Sequence, residues 1–206
     1  MTGILFDLDG TLLNTLEDLR DAVNVALEQF GYPTRTLEEI RRFVGNGAAQ
    51  LIRLAVPEGA EYEPVFQVFR PYYQQNCQVK TAPYAGVQKL LQELDVPVAI
   101  VSNKPDGAVK ALCAEYFPGV YALGQSDECP RKPAPDMLYK AMAAIGVDRC
   151  VYVGDSDVDV ATARNAGVPC LSVLWGFRDK EELLAAGATH FCSCPEDIPR
   201  LIQAMA

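Results

Sequence analysis

The sequence predicts an α/β fold: a doubly wound parallel sheet with an inserted, all-helical lobe. Two observations carry that prediction. Apolar runs of strand length recur along the chain with helical patterns between them, whereas the stretch from Thr15 to about Cys77 shows helical periodicity and no convincing strand. Continuous apolar strands alternating with amphipathic helices mark a parallel sheet covered on both faces. The 206 residues, half of them hydrophobic and 22% charged, suffice for one substantial core and a smaller lobe.

In chain order, strands are expected at about 3–7, 97–102, 120–124, 150–154 and 170–175, with a short last one near 189–193. Leu16, Leu19, Val23, Ala26, Leu27 and Phe30 follow a 3.6-residue period that stops at Gly31-Tyr32-Pro33. Thr36 with Glu39 reads as a capping box opening the next helix. Leu51, Ile52 and Ala55 continue the pattern. Val65, Phe66, Phe69, Tyr72 and Tyr73 add a bulky stripe, which Pro71 is expected to kink or divide. Later helical faces carry Val87, Leu90, Leu91 and Leu94, then Val109, Leu112, Cys113 and Tyr116, then Leu138, Met142 and Ile145. A helical insertion directly after the first strand is naturally a separate lobe, giving a core of 1–14 and 78–206 and a helical lobe of 15–77.

The formal net charge of −9 argues against nucleic acid or an anionic membrane as the main partner. An anionic substrate would need a local cationic pocket, so a cation at the site is expected. No segment approaches the roughly 20 apolar residues of a membrane span, and the N-terminus lacks a basic leader. The seven cysteines (Cys77, Cys113, Cys129, Cys150, Cys170, Cys192 and Cys194) are odd in number and form no C-x-x-C, and His190 is the lone histidine. That pattern speaks against structural zinc and for a reduced, cytoplasmic protein. A monomer or weak homodimer is expected.

Four short stretches carry chemistry. Asp7-Leu8-Asp9-Gly10-Thr11 puts two carboxylates one residue apart where the first strand reaches solvent. One carboxylate can act as nucleophile beside an acid/base partner if a cation screens them, although Asp-Gly by itself equally suits a solvated turn. Ser102-Asn103-Lys104 ends an apolar run and offers a hydroxyl and an amide to phosphate oxygens, or simply forms a loop. Lys132 precedes the stiff Pro133-Ala134-Pro135, which could also just open a helix. Asp155, Asp157 and Asp159 follow Gly154. They do not form an EF-hand loop, which needs Gly where Val160 stands and Glu where Ala166 stands.

Together, and in this order, the four stretches resemble the signature motifs of the haloacid dehalogenase superfamily. FDLDGT matches the first motif, Ser102 the second, K-P-x-P at Lys132 the third and G-D-x-x-x-D at Asp155 and Asp159 the fourth. The resemblance spans the whole chain and implies a type 1 helical cap after the first motif. It implies a Mg2+-dependent phosphatase forming a phosphoaspartate on Asp7. Asp9 would be the acid/base, Ser102 and Lys132 would hold the phosphoryl group, and Gly10 and Thr11 would lie on the substrate side. The implied metal ligands are the side chains of Asp7 and Asp155 and the backbone carbonyl of Asp9, with Asp159 orienting Lys132 or metal-bound water. Asp9 sets the chain apart from the superfamily's dehalogenases, which lack that aspartate.

The segment Gly45-Asn46-Gly47, with Ser102-Asn103-Lys104-Pro105 and Trp175-Gly176-Phe177-Arg178, is similar to phosphoglycolate phosphatases. This implies a small phosphorylated metabolite as substrate, met by Gly45, Asn46, Gly47, Asn103 and Lys104. Asn14 stands where many relatives carry Asp. Two alternatives remain open. One is a pyrophosphatase or β-phosphoglucomutase-type enzyme with the same groups. The other is a non-catalytic metabolite-binding or regulatory protein, against which the intact aspartates and Lys132 count.

Overall fold

The computed structural model describes residues 2–205. Its elements run β1 (Thr2–Phe6), β2 (Leu13–Asn14), α1 (Leu16–Gln29), α2 (Leu37–Phe43), α3 (Ala48–Ala55), α4 (Tyr62–Asn76) and β3 (Ala82–Pro83). They continue with α5 (Val87–Glu93), β4 (Val98–Pro105), α6 (Asp106–Tyr116), β5 (Tyr121–Gln125), α7 (Asp136–Ala144) and β6 (Arg149–Gly154). The chain closes with α8 (Asp157–Ala166), β7 (Cys170–Val173), α9 (Lys180–Ala185), β8 (Phe191–Cys192) and α10 (Ile198–Met205).

Six strands form one sheet in the order β5-β4-β1-β6-β7-β8, every pair parallel. Alternation along β1 divides the core, because successive side chains point to opposite faces. Ile4 and Phe6 pack with Val87, Leu90, Val109, Leu112, Ile198 and Ile202 from α5, α6 and α10. Leu5 packs with Met137, Leu138, Ala141 and Ala163 from α7 and α8. The sheet is therefore wrapped on both faces, as its unbroken apolar strands require.

Between β2 and β3 the regular elements are all helices, α1 to α4. Leu19, Val23, Ala26, Ile40, Leu51, Ile52, Val65 and Phe69 form an interior continuous with the α5/α6 side of the sheet. Thr36 and Glu39 do form the capping box. Pro71, however, does not divide α4, which runs from Tyr62 to Asn76 as one element. The missing N–H costs that helix one backbone bond, but Val65, Phe69 and Tyr73 bury a common stripe across it, with the Phe69 and Tyr73 rings stacked 5.4 Å apart.

Entry to and exit from the helices are tied by a feature too short to show in a pattern. Leu13 and Asn14 pair antiparallel with Pro83 and Ala82. Beside them the Asp18 carboxylate accepts from the backbone N–H groups of Lys80 and Thr81 at 2.9–3.0 Å. The last strands are shorter than expected: β7 stops at Val173 and β8 spans Phe191–Cys192. Residues 174–178 instead form a strap of bends toward the site.

Candidate active site

From β1 the chain steps outward to β4 and β5, then returns to β6 on the other side of β1 and steps outward again. That reversal is the topological switch point of an open α/β sheet, where strand ends leave a crevice for ligands. Asp7 leaves β1 there, its N–H donating to Val153 O at 2.8 Å. Asp155 leaves β6, and Ser102, Asn103 and Lys104 lie within the second half of β4. Asp7, Asp155 and Ser102 line one cavity of about 50 Å³ with Asp9, Gly45, Gly47, Tyr73, Asn103, Lys104, Lys132 and Arg178. Asn46 sits half-buried between the two glycines.

Lys132 is buried among acids. Its ammonium lies 2.8 Å from Asp7 Oδ1 and 2.8 Å from Asp159 Oδ1, and it donates to the Tyr152 hydroxyl at 2.8 Å. Asn103 clasps the backbone of Lys132 from both sides, accepting from its N–H and donating to its C=O, while also donating to Gly45 O. Burial opposes the charge on Lys132, but Asp159 and Asp7 outweigh it and hold the ammonium well above its ordinary pKa.

Asp159 is saturated. One oxygen takes Lys132 and the Tyr152 hydroxyl; the other takes the Ser156 hydroxyl at 2.6 Å and the N–H groups of Ser156 and Asp155. Burial opposes its ionisation too, yet Lys132 with these hydrogen bonds keeps it below the usual carboxylate range.

Asp7, Asp155 and Asp159 offer oxygens within 4.8 Å of one another, all buried. Their environments differ. Burial, then the charge of Asp159, pushes Asp7 well above the usual range against the pull of Lys132. Its Oδ1 is close to Lys132 but at an angle that makes no hydrogen bond. Asp155 accepts from Thr11 Oγ1 and Phe177 N, and burial with Asp159 pushes it up to about 7. Lys132 thus faces Asp7 and Asp159, and the two under-neutralised carboxylates, Asp7 and Asp155, are those expected to bind a cation. An all-oxygen set with room for water fits a hard divalent ion. Asp159, with both oxygens committed, has none to spare.

Gly10 adopts φ +82°, and a Cβ there would stand 2.2 Å from Asp155 Oδ2. Its bare backbone is what lets Asp155 come close to the β1 turn. Gly176 meets Asp155 as tightly from the strap side. Thr11 and Gly10 therefore touch Asp155.

Asp9, one pleat along from Asp7, belongs to a second cluster. Its Oδ1 accepts from Lys104 Nζ at 2.7 Å and Thr15 Oγ1 at 2.5 Å. The Lys104 ammonium also lies 4.8 Å from the centre of the Tyr73 ring. Ser102 Oγ accepts from Lys104 N. The strap adds Arg178, which donates to the carbonyls of Arg41 and Val44 at 2.8 and 2.7 Å, while Arg41 donates back to Phe177 O. Thr15, Tyr73 and Tyr152 are contacts that sequence reasoning missed. A hydroxyl in a helix stripe or a buried strand gives no signal that separates it from ordinary packing.

Comparison with known proteins adds an independent line. The model of the family described as haloacid dehalogenase-like hydrolase matches residues 4–173. A phosphoglycolate phosphatase of Pseudomonas syringae pv. tomato is 35% identical over 190 residues, covering 84% of this chain and 70% of that one. One from Rhodobacter capsulatus is 33% identical, with 85% of each covered. The crystal structure of a candidate phosphoglycolate phosphatase from Lactobacillus delbrueckii subsp. bulgaricus superposes with a TM-score of 0.91 at 37% identity, over 98% of this chain and 97% of that one.

Proposed function

This chain belongs to the haloacid dehalogenase-like hydrolase family and is a phosphoric monoester hydrolase; from that premise we propose that it cleaves small phosphorylated metabolites of the 2-phosphoglycolate kind through a phosphoaspartate on Asp7. The observation that carries the mechanism is the Lys132 ammonium set between Asp7 and the saturated Asp159, with Asp7 Oδ1 left without a hydrogen bond. Such a carboxylate is fixed in place yet free to react.

Asp7 attacks phosphorus in line with the ester oxygen. The new bond is Asp7 O–P, the ester O–P bond breaks, and Asp9 gives its proton to the departing alcohol oxygen. Asp9 then takes a proton from water as that water attacks the phosphoaspartate, releasing phosphate and restoring Asp7. The encounter sets a −1 carboxylate against a −2 phosphate. At about 4 Å and an effective dielectric near 20 the repulsion is on the order of 8 kcal/mol. Lys132 offsets part of it, and Ser102 bonds a phosphoryl oxygen. The Asp7 and Asp155 side chains and the Asp9 carbonyl would hold Mg2+, which when bound would supply the rest of the positive charge. Asp159 serves by holding Lys132.

Residues 15–77 act as the cap. The bonds Asn103 to Gly45 and Arg178 to the end of α2 support its closing over the cavity. Among the described residues no helix is long and apolar enough to cross a membrane. The free thiols suit a reducing cytoplasm, where a monomer or weak homodimer would work alone on its metabolite.

The test is phosphate release from 2-phosphoglycolate, other small phosphomonoesters, β-glucose 1-phosphate and pyrophosphate, with Mg2+ and then with EDTA. EDTA-sensitive release that favours 2-phosphoglycolate is the expected result. Isomerisation of the sugar phosphate, or preference for pyrophosphate, would replace this reading with the corresponding phosphoryl-transfer enzyme. No release from a folded, metal-loaded protein would sink it.

A further inference from the structure

Three cations line the cavity, and two are already committed. Lys132 is held by Asp7, Asp159 and Tyr152. Arg178 is spent on the carbonyls of Arg41, Arg42 and Val44 and on Asp157. Lys104 differs. Its side chain is 2% exposed, and its one carboxylate partner is Asp9 at 2.7 Å, the group needed for proton transfer. Its other neighbour is Tyr73 of α4, whose hydroxyl is buried with no hydrogen-bond partner although Tyr73 lines the same cavity. An ammonium with a replaceable counter-ion and a hydroxyl without a partner thus stand together beside the acid/base.

We propose that Lys104 and Tyr73 bind an anionic group on the leaving alcohol, and that Lys104 exchanges Asp9 for that group when substrate arrives. The inference rests on the phosphatase reading above and adds what selects the substrate. Asp9 must reach the ester oxygen, and it lies one ion-pair length from the Lys104 ammonium. The anion that takes its place must therefore sit within one or two carbons of that oxygen. The chemical class is a phosphomonoester of a short hydroxy acid.

Exchange of one carboxylate for another keeps a buried ammonium paired, whereas loss of its partner leaves an uncompensated charge. A neutral alcohol offers no replacement, so Lys104 stays on Asp9 and holds it back from the ester oxygen. Selection then shows in kcat as well as in KM.

The experiment compares 2-phosphoglycolate with 2-hydroxyethyl phosphate, its neutral analogue, in the wild type and in Lys104→Met, Lys104→Arg and Tyr73→Phe. It adds calorimetric titration of glycolate without phosphate. The wild type should favour the carboxylate substrate by about 100-fold in kcat/KM. Lys104→Met should collapse that ratio to within a few-fold of one, Lys104→Arg should keep part of it, and Tyr73→Phe should reduce it several-fold. An equal loss on both substrates in Lys104→Met overturns the proposal and makes Lys104 only a positioning residue for Asp9. So does an unchanged ratio in both Lys104→Arg and Tyr73→Phe if Lys104→Met does not fold. Should the wild type cleave neither ester, the 2-phosphoglycolate reading fails and glycolate decides separately. Binding weakened at least tenfold by Lys104→Met upholds the anion site, and no binding, or equal binding, overturns it.

Discussion

Two lysines, Lys132 and Lys104, stand over two aspartates one residue apart, equally buried and each in a 2.7–2.8 Å ion pair. Their surroundings make them different instruments. Lys132 sits on the α7/α8 side, between Asp7 and an Asp159 that five donor contacts hold ionised, all from the sheet and its flanking loops. Lys104 has a single carboxylate and an aromatic ring borrowed from α4 of the helical insertion. A charge held by several rigid partners can steady a reacting group; a charge held by one is free to change partner. The same residue type one strand over thus takes a fixed or an exchangeable role according to how many groups share it.

The comparison is broken most directly at the aspartates. Asp7→Asn should lower kcat on the order of 10⁴-fold or more without lowering the unfolding temperature, since it removes a carboxylate that burial and Asp159 disfavour. A matching loss of stability would mean that Asp7 is a structural partner of Lys132 and not a poised nucleophile.

Lys132→Met should cost about 10³-fold in kcat/KM and about 3–5 kcal/mol in urea unfolding, because Asp159 is left buried without its cation. If Lys104→Met proves equally destabilising, the contrast between a shared and a single partner fails.

A third measurement uses pH. In the metal-free protein Asp155 titrates at about 7 against 3.8 unfolded. Between those values the unfolded chain has lost a proton that the folded one keeps, so this group makes stability fall as pH rises from about 4 to 7, by at most about 1.4 kcal/mol per unit. Asp159, lowered, works in the opposite sense: its contribution is present above the unfolded value and lost as pH falls through the folded one. Asp155→Asn should reduce the pH 4–7 slope, leaving the part that Asp7, raised in the same sense, contributes. In the wild type, stabilisation by added Mg2+ should grow with pH up to about 7. Stabilisation independent of pH would remove Asp155 from the ligand set.

Smaller effects sharpen the role of the strap. Arg178→Gln should raise KM up to about tenfold, with less change in kcat, through loss of hydrogen bonds worth about 0.5–1.5 kcal/mol each. Hydrogen exchange should speed up at the end of α2. Unchanged exchange there would show that the helices stay shut without Arg178.

Much of this was legible in the sequence, and what was not has a common cause. The strands β1, β4, β6 and β7 announced themselves because a sheet buried on both faces requires unbroken apolar runs. The capping box at Thr36 and the turn at Gly31 were legible for the equally local reason that the backbone there needs those residue types. Pro71 does not divide α4 because its local cost is outweighed by the buried stripe on either side, a tertiary term. The two-residue pairing of β2 with β3 carries no period at all.

For the site, four short motifs in the order of a known family placed Asp7, Asp9, Lys132, Asp155 and Asp159 in one candidate set, and the expected strand ends put those motifs at one edge of the sheet. How they divide is a matter of distance between residues far apart in sequence. Only the folded chain decided that Lys132 answers to Asp7 and Asp159, that Lys104 answers to Asp9, and that Gly10 and Thr11 touch Asp155. Sequence fixes which charges reach the crevice because strand order and period are local properties. Tertiary structure decides which charges meet because ion pairing in a low-dielectric interior depends on separations of a few ångströms that no spacing along the chain encodes.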